Sequence, residues 1–450
     1  MKVVKFGGSS VANAEQISKI IDIVTADPER RIVVVSAPGK RDSGDTKVTD
    51  LLIALANAVL GGGDYEAELK EVVARYAEIQ RDLNLSKEVV DVIEADLNGR
   101  IASRSANDAQ FMDAMKASGE DNNAKVIAEA FTNAGFPAKY VNPGPAGMLL
   151  SDEFGNAEVL PESFGKLATL KDIEEIVIFP GFFGETKAGE VATFPRGGSD
   201  ITGAILAAAV NADVYENFTD VDSVCAMDPR VIDNPPAIGC MTYREMRELS
   251  YAGFGVFHDE AIVPAVRAQI PICIKNTNNP SAPGTMVVPQ RSPDERTVVG
   301  ISSAAGFSAI YIDKYMMNRE VGFGRRLLSI LEEEGISFEH TPSGIDNISV
   351  ILESSNLKNE KVQTVVNRIH DELKPDAVSV EHGLALVMVV GEGMHYTPGM
   401  AAKATGAFCE AGVNLEMINQ GASEISMMFA VKDSDREKAL RALGTAFFGI

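Results

Sequence analysis

The first part of the chain alternates short apolar runs with amphipathic segments. Residues 32–37 and 176–179 are continuous apolar runs that lead into Pro-Gly, and residues 1–4 lead into a lysine and two glycines. Apolar runs bounded by turn signals are typical of strands buried on both faces. Residues 17–24 carry isoleucine and valine at i, i+3, i+4 and i+7, which predicts an amphipathic helix. The alternation indicates an α/β fold with an open, mostly parallel sheet between helix layers.

The first of two glycine loops follows a strand of this sheet, and the carboxyl ends of parallel strands are where such sheets bind ligands. The first loop is Lys5-Phe6-Gly7-Gly8-Ser9-Ser10, directly ahead of the predicted helix, which Ser10 or Asn13 is placed to cap. Glycines let backbone N–H groups approach an anion, a helix N-terminus adds partial positive charge, and Lys5 adds a full one. The loop predicts a phosphate site whose anion faces the first amides of that helix, with a structural turn as the alternative.

The second loop, Arg196-Gly197-Gly198-Ser199-Asp200, repeats this pattern ahead of an apolar helix at residues 201–209. Ser199 is placed to cap that helix, and again a structural turn is the alternative. Other nucleotide signatures are missing from the sequence. No glycine-rich stretch continues into Gly-Lys-Ser or Gly-Lys-Thr, residues 322–324 lack the third glycine of a dinucleotide fingerprint, and no protein-kinase catalytic loop occurs.

A turn-rich passage at residues 280–296 predicts a domain boundary. After it, a pattern of strands and helices occurs twice, which indicates an internal repeat of a small α+β unit. The predicted elements are strands at residues 298–301, 308–312 and 348–352 with a helix at 322–335, then strands at 384–390 and 425–430 with helices at 398–412 and 437–448. We therefore expect a catalytic domain over residues 1–292 and two α+β units over residues 299–375 and 380–450.

Composition narrows the possible partners and location. The 450 residues are too many for one ordinary core, and 45% of them are hydrophobic. The 64 acidic residues outnumber 41 Lys and Arg, giving a net charge of −23 without a basic cluster, so neither nucleic acid nor membrane is an expected partner. The four cysteines lack Cys-x-x-Cys spacing and no signal or membrane-spanning segment is visible, which predicts a reduced, cytoplasmic protein.

Three motifs, in this order along the chain, resemble the aspartate kinases of the amino-acid kinase superfamily. They are the two glycine loops and Phe218-Thr219-Asp220-Val221-Asp222, which is followed by Asp228-Pro229-Arg230. The two C-terminal units resemble ACT domains, so the resemblance covers essentially the whole chain. It implies phosphorylation of the L-aspartate β-carboxylate by ATP and Mg²⁺ to give 4-phospho-L-aspartate, for lysine, threonine and methionine biosynthesis. A carboxylate with a pKa of about 3.9 is already ionised, so catalysis needs positioning and cations and no general base.

The resemblance also assigns roles to residues of the phosphoryl-transfer site. Lys5 is the expected catalytic cation, and Asp200 is expected to order Lys5 or the phosphates by pairing with a cation. Cys225 and Asn278 stand where relatives often carry a tyrosine and a lysine, so base or ribose contacts are expected to differ. The residues expected to contact ATP are Lys5, Gly7, Gly8, Ser9, Thr219, Asp220, Cys225, Arg230, Asn278 and Asn279.

For aspartate itself, the resemblance implies that Arg196 binds the α-carboxylate with help from Ser199, that Glu120 meets the ammonium, and that Thr49 supplies a hydroxyl. Three of the candidate site residues have a structural alternative. Glu120 opens a helical pattern and is compatible with a first-turn dipole contact, Thr49 with a helix N-cap, and Arg230 with a local salt bridge. Residues 257–260, Phe-His-Asp-Glu, suggest metal chemistry, but without a second ligand pair a structural role is expected.

The first ACT-like unit carries a candidate effector site. Its residues that align with the feedback site of lysine-sensitive relatives are Met317, Glu320, Gly322, Phe323, Gly324, Phe338 and Glu339. We expect inhibition by lysine, relieved by substitution of Glu339 or Phe323 with little loss of uninhibited activity, and a homodimer formed through the ACT-like units. Dimerisation modules without an effector are the alternative.

Two other functions are compatible with parts of the sequence. A superfamily member acting on another acid, such as glutamate, or on a nucleoside monophosphate would keep both glycine loops. A non-catalytic amino-acid sensor would keep the ACT-like units and lose the phosphoryl chemistry. The retention of Lys5, Arg196 and Asp200 in matching motifs favours the kinase.

Overall fold

The computed structural model describes residues 1–251, 253, 259–292, 296–357, 359–421 and 425–450. Within these residues the chain forms two compact units. The N-terminal unit comprises residues 1–224, 237–246 and 256–291, and the C-terminal unit comprises residues 225–236, 247–255 and 292–450. Residues 257, 258 and 293–295, which belong to the acidic-histidine run and the predicted linker, lie outside the described residues.

The elements up to residue 288 are numbered in chain order. The strands are β1 Lys2–Phe6, β2 Arg30–Val35, β3 Ala138–Tyr140, β4 Ile176–Pro180, β5 Phe183–Glu185, β6 Val191–Thr193, β7 Val214–Thr219, β8 Val224–Cys225, β9 Ala237–Ile238, β10 Cys240–Thr242, β11 Ile272–Asn276 and β12 Thr285–Val288. The helices are α1 Ala14–Thr25, α2 Val48–Leu60, α3 Glu66–Asp82, α4 Glu88–Ala102, α5 Asp108–Asn133, α6 Pro143–Ala146, α7 Glu162–Leu167, α8 Gly198–Val210, α9 Tyr243–Tyr251 and α10 Val263–Arg267.

An eight-stranded sheet in the order β10-β12-β11-β7-β1-β2-β4-β3 organises the N-terminal unit. The strands from β11 to β3 are parallel, whereas β12 runs antiparallel to β11 and pairs in parallel with β10. Apolar side chains of β1 and β2 share one core with α1–α5, and α8 packs against β1 and β7 from the other face. The predicted open, mostly parallel sheet between helix layers is confirmed.

Local sequence explains the first helix and strand. The isoleucines and valine spaced through residues 17–24 are buried on one face of α1, and Asn13 caps the helix by accepting the Gln16 N–H at 3.0 Å. The apolar run at residues 32–37 forms the buried part of β2, which ends at Val35 because residues 36–39 continue as a loop.

Three helix starts differ from the sequence predictions. α5 begins at Asp108, so Glu120 lies in the middle of a 26-residue helix and the first-turn explanation is wrong. The pattern was hidden because the central turns of α5 bury polar side chains, including Asn122 and Asn123. α8 has Gly197 at its N-cap and makes no side-chain cap bond, so Ser199 is a first-turn residue and not the cap. α2 begins at Val48, so Thr49 is not an N-cap either.

The C-terminal unit is built on a five-stranded antiparallel sheet in the order β14-β13-β15-β17-β16. Its strands are β13 Gly300–Asp313, β14 Asn347–Glu353, β15 Ala377–Val390, β16 Met417–Gln420 and β17 Ser426–Lys432. Its helices are α11 Phe323–Glu333, α12 Asn359–Leu373, α13 Met400–Glu410 and α14 Arg436–Phe448.

Two separate apolar cores lie on this sheet, one with α11 and α12 and the other with α13 and α14. The two halves are joined because β13 and β15, of 14 residues each, pair from Gly300 with Val390 to Asp313 with Ala377. The strands predicted at residues 298–301 and 308–312 are therefore one strand. The α+β character is confirmed, whereas the division at residues 299–375 and 380–450 stays a prediction.

No helix among the described residues is long and apolar enough to cross a membrane. Cys225, Cys240, Cys273 and Cys409 are free thiols.

Candidate active site

Lys5 lies on the face of the sheet that α8 covers. Because strand side chains alternate, Val4 and Phe6 point into the core with α1–α5 and Lys5 points the other way. Its Nζ is 2.7 Å from Oδ1 of Asp200, in the first turn of α8. Asn217 of the neighbouring strand β7 donates to the same oxygen at 2.6 Å. The expected pairing of Asp200 with a cation is present, and it holds a buried positive charge beside the end of β1.

The first glycine loop packs tightly on the loop after β2. Gly39 donates its N–H to the Gly8 carbonyl at 2.9 Å, and a Cβ on Gly39 would lie 2.6 Å from the Gly8 carbonyl carbon. A Cβ on Gly7 would lie 3.4 Å from Lys5 Nζ, so the glycine keeps space open above the ammonium. Ser9 is exposed. The loop leads into a 3₁₀ turn, Gly8–Val11, and not directly into α1, so the amides near it belong to that turn.

The candidate nucleotide loops follow β7 and β11, which are parallel neighbours. Thr277 donates its N–H to the Thr219 carbonyl at 2.9 Å, and its hydroxyl lies 2.7 Å from that of Ser10 in the first glycine loop. The buried Ser10–Thr277 contact therefore ties three strand ends together. Asp220 is exposed next to Thr219, whose hydroxyl lies 3.2 Å from it.

Asn278 and Asn279 are exposed on this edge and point to different partners. Gln16 and Lys19 of α1 each donate to Asn278 Oδ1 at 3.1 Å, whereas Asn279 donates to Asp222 at 3.1 Å. The structure thus brings Thr219, Asp220 and both asparagines to the edge of the sheet that carries the first glycine loop.

The second glycine loop depends on a left-handed glycine and on one close approach between loops. Gly197 has φ +83°, in the left-handed region that favours glycine. A Cβ on Gly181, after β4, would lie 2.6 Å from the Ser199 hydroxyl, so this glycine lets the two loops touch. Ser199 is nearly buried, whereas Arg196 is exposed. None of the salt bridges formed by the described residues involves Arg196, whose side chain is open to solvent.

Glu120 is a buried carboxylate with one oxygen left to bind a further group. It is 6% exposed, and its Oε2 has no hydrogen-bond partner among the described residues. Burial raises its pKa from 4.5 to about 8, against the lowering effect of a hydrogen bond with the Ala37 backbone. α5 approaches this loop so closely that a Cβ on the preceding Gly119 would lie 2.9 Å from Ala37 Cβ. A carboxylate in this state needs a cationic partner to ionise at neutral pH.

Asn123, one turn along α5, presents a second unpartnered oxygen. Its Nδ2 donates to the Ser36 carbonyl at 2.6 Å, while its buried Oδ1 has no hydrogen-bond partner in the part of the chain that the structure describes. Thr49 is half-buried in the first turn of α2, whose N-terminus follows the same β2–α2 loop. Glu120, Asn123 and Thr49 therefore surround the segment after β2.

Cys225 and Arg230 belong to the C-terminal unit and are described within it. Burial raises the pKa of the half-buried Cys225 thiol. The Arg230 side chain is 84% exposed and pairs with Asp228 at 2.8 Å. This is the local salt bridge that the sequence suggested as an alternative to ATP binding.

The candidate effector residues are split between core and surface. Met317 and Phe323 are buried in the core under α11, whose N-cap is Gly322 with φ +82°, and Gly324 follows in its first turn. Glu320 pairs with Lys314 at 2.5 Å and with Arg326, and these contacts lower its pKa. 

The other two effector candidates lie on the segment before β14. Phe338 is 42% exposed, and Glu339 accepts a short hydrogen bond from the Tyr251 hydroxyl. Burial, with Glu339 nearby, raises the pKa of Tyr251, so its hydroxyl stays protonated and donates.

No group of three His, Cys, Asp or Glu residues placed to hold a metal occurs in the described ranges.

Several site residues escaped sequence reasoning. Asn217 and Tyr215 alternate along β7 on the side of Asp200, and the Tyr215 hydroxyl lies 3.2 Å from Asn217 Nδ2. Polar groups at alternate positions of a central strand were the available signal. The Gly39 contact with Gly8 had no such signal, since it depends on how neighbouring strands are ordered.

A model described as the amino acid kinase family matches residues 1–276, and an ACT domain model matches residues 387–447. The chain is 55% identical over 448 residues to aspartokinase 3 of Bacillus subtilis (strain 168), covering 100% of this chain and 99% of that protein.

Two solved proteins are similar over their full length. Aspartate kinase of Clostridium acetobutylicum matches with a TM-score of 0.88 and 37% identity, over 99% of this chain and 100% of that one. Escherichia coli aspartokinase III in complex with aspartate and ADP matches with a TM-score of 0.76 and 27% identity, over 100% of both chains. Its complex with lysine and aspartate has a TM-score of 0.75 at 26% identity, over 100% of this chain and 99% of that one.

Proposed function

The chain belongs to the amino acid kinase family and, over its whole length, to the aspartokinases, and we propose that Lys5 is its catalytic cation. The enzyme is an ATP-dependent aspartate kinase that forms 4-phospho-L-aspartate. The observation that carries the assignment is the buried Lys5 ammonium, held by Asp200 at 2.7 Å beneath the glycine loop.

The chemistry that Lys5 serves is an in-line displacement between two anions. A β-carboxylate oxygen of aspartate attacks the γ-phosphorus, the bond to the bridging oxygen breaks, and ADP leaves. The nucleophile is already ionised, so no proton moves at this step. Lys5 offsets the charge that spreads over the phosphoryl oxygens, and Asp200 with Asn217 keeps its ammonium in place.

Substrate recognition is divided between the second glycine loop and α5. Arg196 binds the α-carboxylate through two parallel hydrogen bonds, with the Ser199 hydroxyl beside it. Glu120 pairs with the ammonium through the oxygen that lacks a partner, and Thr49 supplies a further hydroxyl. The opposite charges of Arg196 and Glu120 thus recognise the α-carboxylate and the α-ammonium group of the amino acid.

The nucleotide lies over the ends of β1, β7 and β11. Backbone groups of Gly7, Gly8 and Ser9 bind its phosphates, and the remaining contacts within this unit come from Thr219, Asp220, Asn278 and Asn279. Mg²⁺, which we expect to arrive with ATP, would offset the negative charge of the nucleotide phosphates. A cytoplasmic location remains our expectation.

Hydroxamate formation tests the activity directly. The purified protein is incubated with ATP, Mg²⁺, hydroxylamine and either aspartate or glutamate, because an acyl phosphate is trapped as its hydroxamate. Product with aspartate supports the kinase. Product with glutamate alone would indicate a different acid, and no product with either acid would favour the sensor.

Replacing Arg196 by lysine should raise KM for aspartate by about 10- to 100-fold, because an ammonium cannot reproduce two parallel hydrogen bonds to a carboxylate. KM for ATP should stay within about twofold, since the loss affects aspartate binding alone. Steady-state kinetics with each substrate varied in turn measures both. Arg81→Lys, at an exposed helical position, is the control. An equal rise in both KM values would contradict the assignment.

For regulation, we infer that lysine is the feedback inhibitor and that the site comprises Met317, Glu320, Gly322, Phe323, Gly324, Phe338 and Glu339. The lysine complex of the E. coli relative supports this inference. The exposed apolar side chains of Tyr315, Val321 and Ile345 in the same region are 75%, 97% and 68% accessible and support a homodimer through the ACT-like halves. Sedimentation at several protein concentrations tests the dimer.

Glu339→Gln should raise the lysine concentration for half-inhibition at least about tenfold, because the variant keeps a hydrogen-bond acceptor for Tyr251 but loses the charge. Uninhibited activity should not change. Glu334→Gln removes a carboxylate paired with Arg368 in the same half and is the control. Full inhibition of Glu339→Gln would place the effector elsewhere. Phe323 is a poor test residue, because its removal from the core costs about 3–5 kcal/mol.

A further inference from the structure

Asp113 of α5 is a buried carboxylate that the roles above leave unused. It is 1% exposed, and its Oδ2 accepts the backbone N–H groups of Gly155 at 2.6 Å and Thr193 at 2.8 Å. Its Oδ1 lies 2.9 Å from Lys116 Nζ. Charged acceptors make the stronger hydrogen bonds, so this group fixes two distant segments against α5.

One of those segments leads into the second glycine loop. Thr193 ends β6, and the chain reaches Arg196 only three residues later. The Thr193 carbonyl accepts the Ala157 N–H at 3.1 Å, and the next N–H, of Phe194, donates to the Phe182 carbonyl at 2.9 Å. The Thr193 N–H, the Thr193 carbonyl and the Phe194 N–H are thus all hydrogen-bonded shortly before Arg196. Of their three partners, only Asp113 is charged.

Lys116 links the same carboxylate to the loop after β4. Its Nζ lies 5.9 Å from the centre of the Phe182 ring. Phe182 has φ +77°, a conformation that is uncommon for a bulky residue and needs surrounding contacts to hold it. Its N–H donates to the Thr202 hydroxyl at 3.0 Å, and it follows Gly181, which touches Ser199. Asp113 therefore binds the segment at Thr193, and Lys116 contacts the segment at Phe182. Both segments lead to the proposed aspartate-binding loop.

We propose that Asp113 is a positioning residue for aspartate binding: by holding Thr193 it sets where the Arg196 guanidinium meets the substrate α-carboxylate. The proposal rests on the role assigned to Arg196. ATP is bound by loops after β1, β7 and β11, none of which Asp113 contacts in the described structure. Asp113 therefore affects aspartate and leaves ATP binding unchanged.

The test compares KM for aspartate, KM for ATP and kcat in two variants, Asp113→Ala and Asp113→Asn. Loss of a supporting hydrogen-bond partner typically costs about 10- to 100-fold at the group it orients, so Asp113→Ala should raise KM for aspartate by that factor. Asp113→Asn keeps one oxygen for the two N–H groups but not the charge. We expect an intermediate rise of about 3- to 10-fold, with KM for ATP within about twofold for both variants.

Glu245→Gln is the matched control for Asp113→Asn. Glu245 is also a fully buried carboxylate that accepts a backbone N–H, from Thr242, and pairs with a cation, Arg291, but it lies beside the edge strand β10. Both variants should have a lower melting temperature than the wild type, and only Asp113→Asn should change KM for aspartate. Equal KM changes in the two, an unchanged KM in Asp113→Asn, or a parallel rise in KM for ATP would overturn the proposal.

Should Asp113→Ala fail to accumulate as folded protein, the Asp113→Asn and Glu245→Gln pair decides the question alone. Arg196→Lys, measured under the same conditions, distinguishes a failure of the role proposed for Arg196 from a failure of the role proposed for Asp113. If it leaves KM for aspartate unchanged, the proposed role of Arg196 fails. If it raises KM while Asp113→Asn does not, only the role of Asp113 fails.

Discussion

Replacement of Lys5 by methionine should lower kcat by about 10³- to 10⁵-fold, the range found when a preorganised cation is removed from a phosphoryl-transfer site. Lys5 is 8% exposed and fixed by Asp200, so its ammonium is oriented before the substrates arrive. The charge that it offsets is greatest in the transition state. We therefore expect KM for ATP to rise much less than kcat falls.

The same substitution leaves the charge of the partly buried Asp200 without its cation, which is destabilising. The double variant Lys5→Met/Asp200→Asn removes that charge and should recover most of the melting temperature without recovering activity. Lys2→Met is the control on the same strand, because Lys2 pairs with Asp27 at 2.7 Å away from the glycine loop. Hydroxamate rates and thermal melts measure both properties. A kcat within about tenfold of wild type in Lys5→Met would exclude Lys5 as the main catalytic cation.

The two glycine loops could be predicted because their signal is local. In each motif a glycine pair leads into a helical turn. Lys5 is itself the next-to-last residue of β1, so its place beside the first glycine pair follows from the sequence alone. The contacts that hold Lys5 could not be predicted in the same way. Asn217 lies beside Lys5 only because β7 is the neighbour of β1, and sheet order is set by packing of the whole unit.

Burial of polar side chains explains the error at Glu120. The central turns of α5 bury Ser118, Asn122 and Asn123, which breaks the apolar periodicity on which a helix prediction depends. The C-terminal half shows the converse case. Its repeat was visible because Gly335 and Gly412 follow helices at equivalent places, but the pairing of β13 with β15 into one sheet is a non-local property.

Glu120→Gln should lower kcat/KM for aspartate by about 10²- to 10⁴-fold at pH 8, because it leaves the substrate ammonium buried without a counter-charge, a loss of about 3–5 kcal/mol. KM for ATP should change little. Glu129→Gln is the control on the same helix, since Glu129 is a partly buried carboxylate that accepts the Ser86 N–H at 2.8 Å.

The pH dependence distinguishes a charge role from a packing role. With its pKa raised to about 8, Glu120 is mostly protonated in the free enzyme at pH 7, and an arriving ammonium favours the ionised form. Aspartate binding must then release a proton. KM for aspartate should fall by up to about tenfold per unit as pH rises from 6 towards 8, and level off above 8.

Stability provides an independent check with a defined sign. A carboxyl whose folded pKa of about 8 exceeds its ordinary 4.5 stabilises the folded state below pH 4.5 and loses this contribution progressively up to pH 8. Above pH 8 the wild type carries a buried, unpaired carboxylate, so the aspartate-free Glu120→Gln variant should melt at a higher temperature than the wild type. Its KM profile should also lose the dependence on pH between 6 and 8. A variant that melts earlier at pH 8.5 and keeps the wild-type profile would mean that Glu120 supports packing and that another group receives the ammonium.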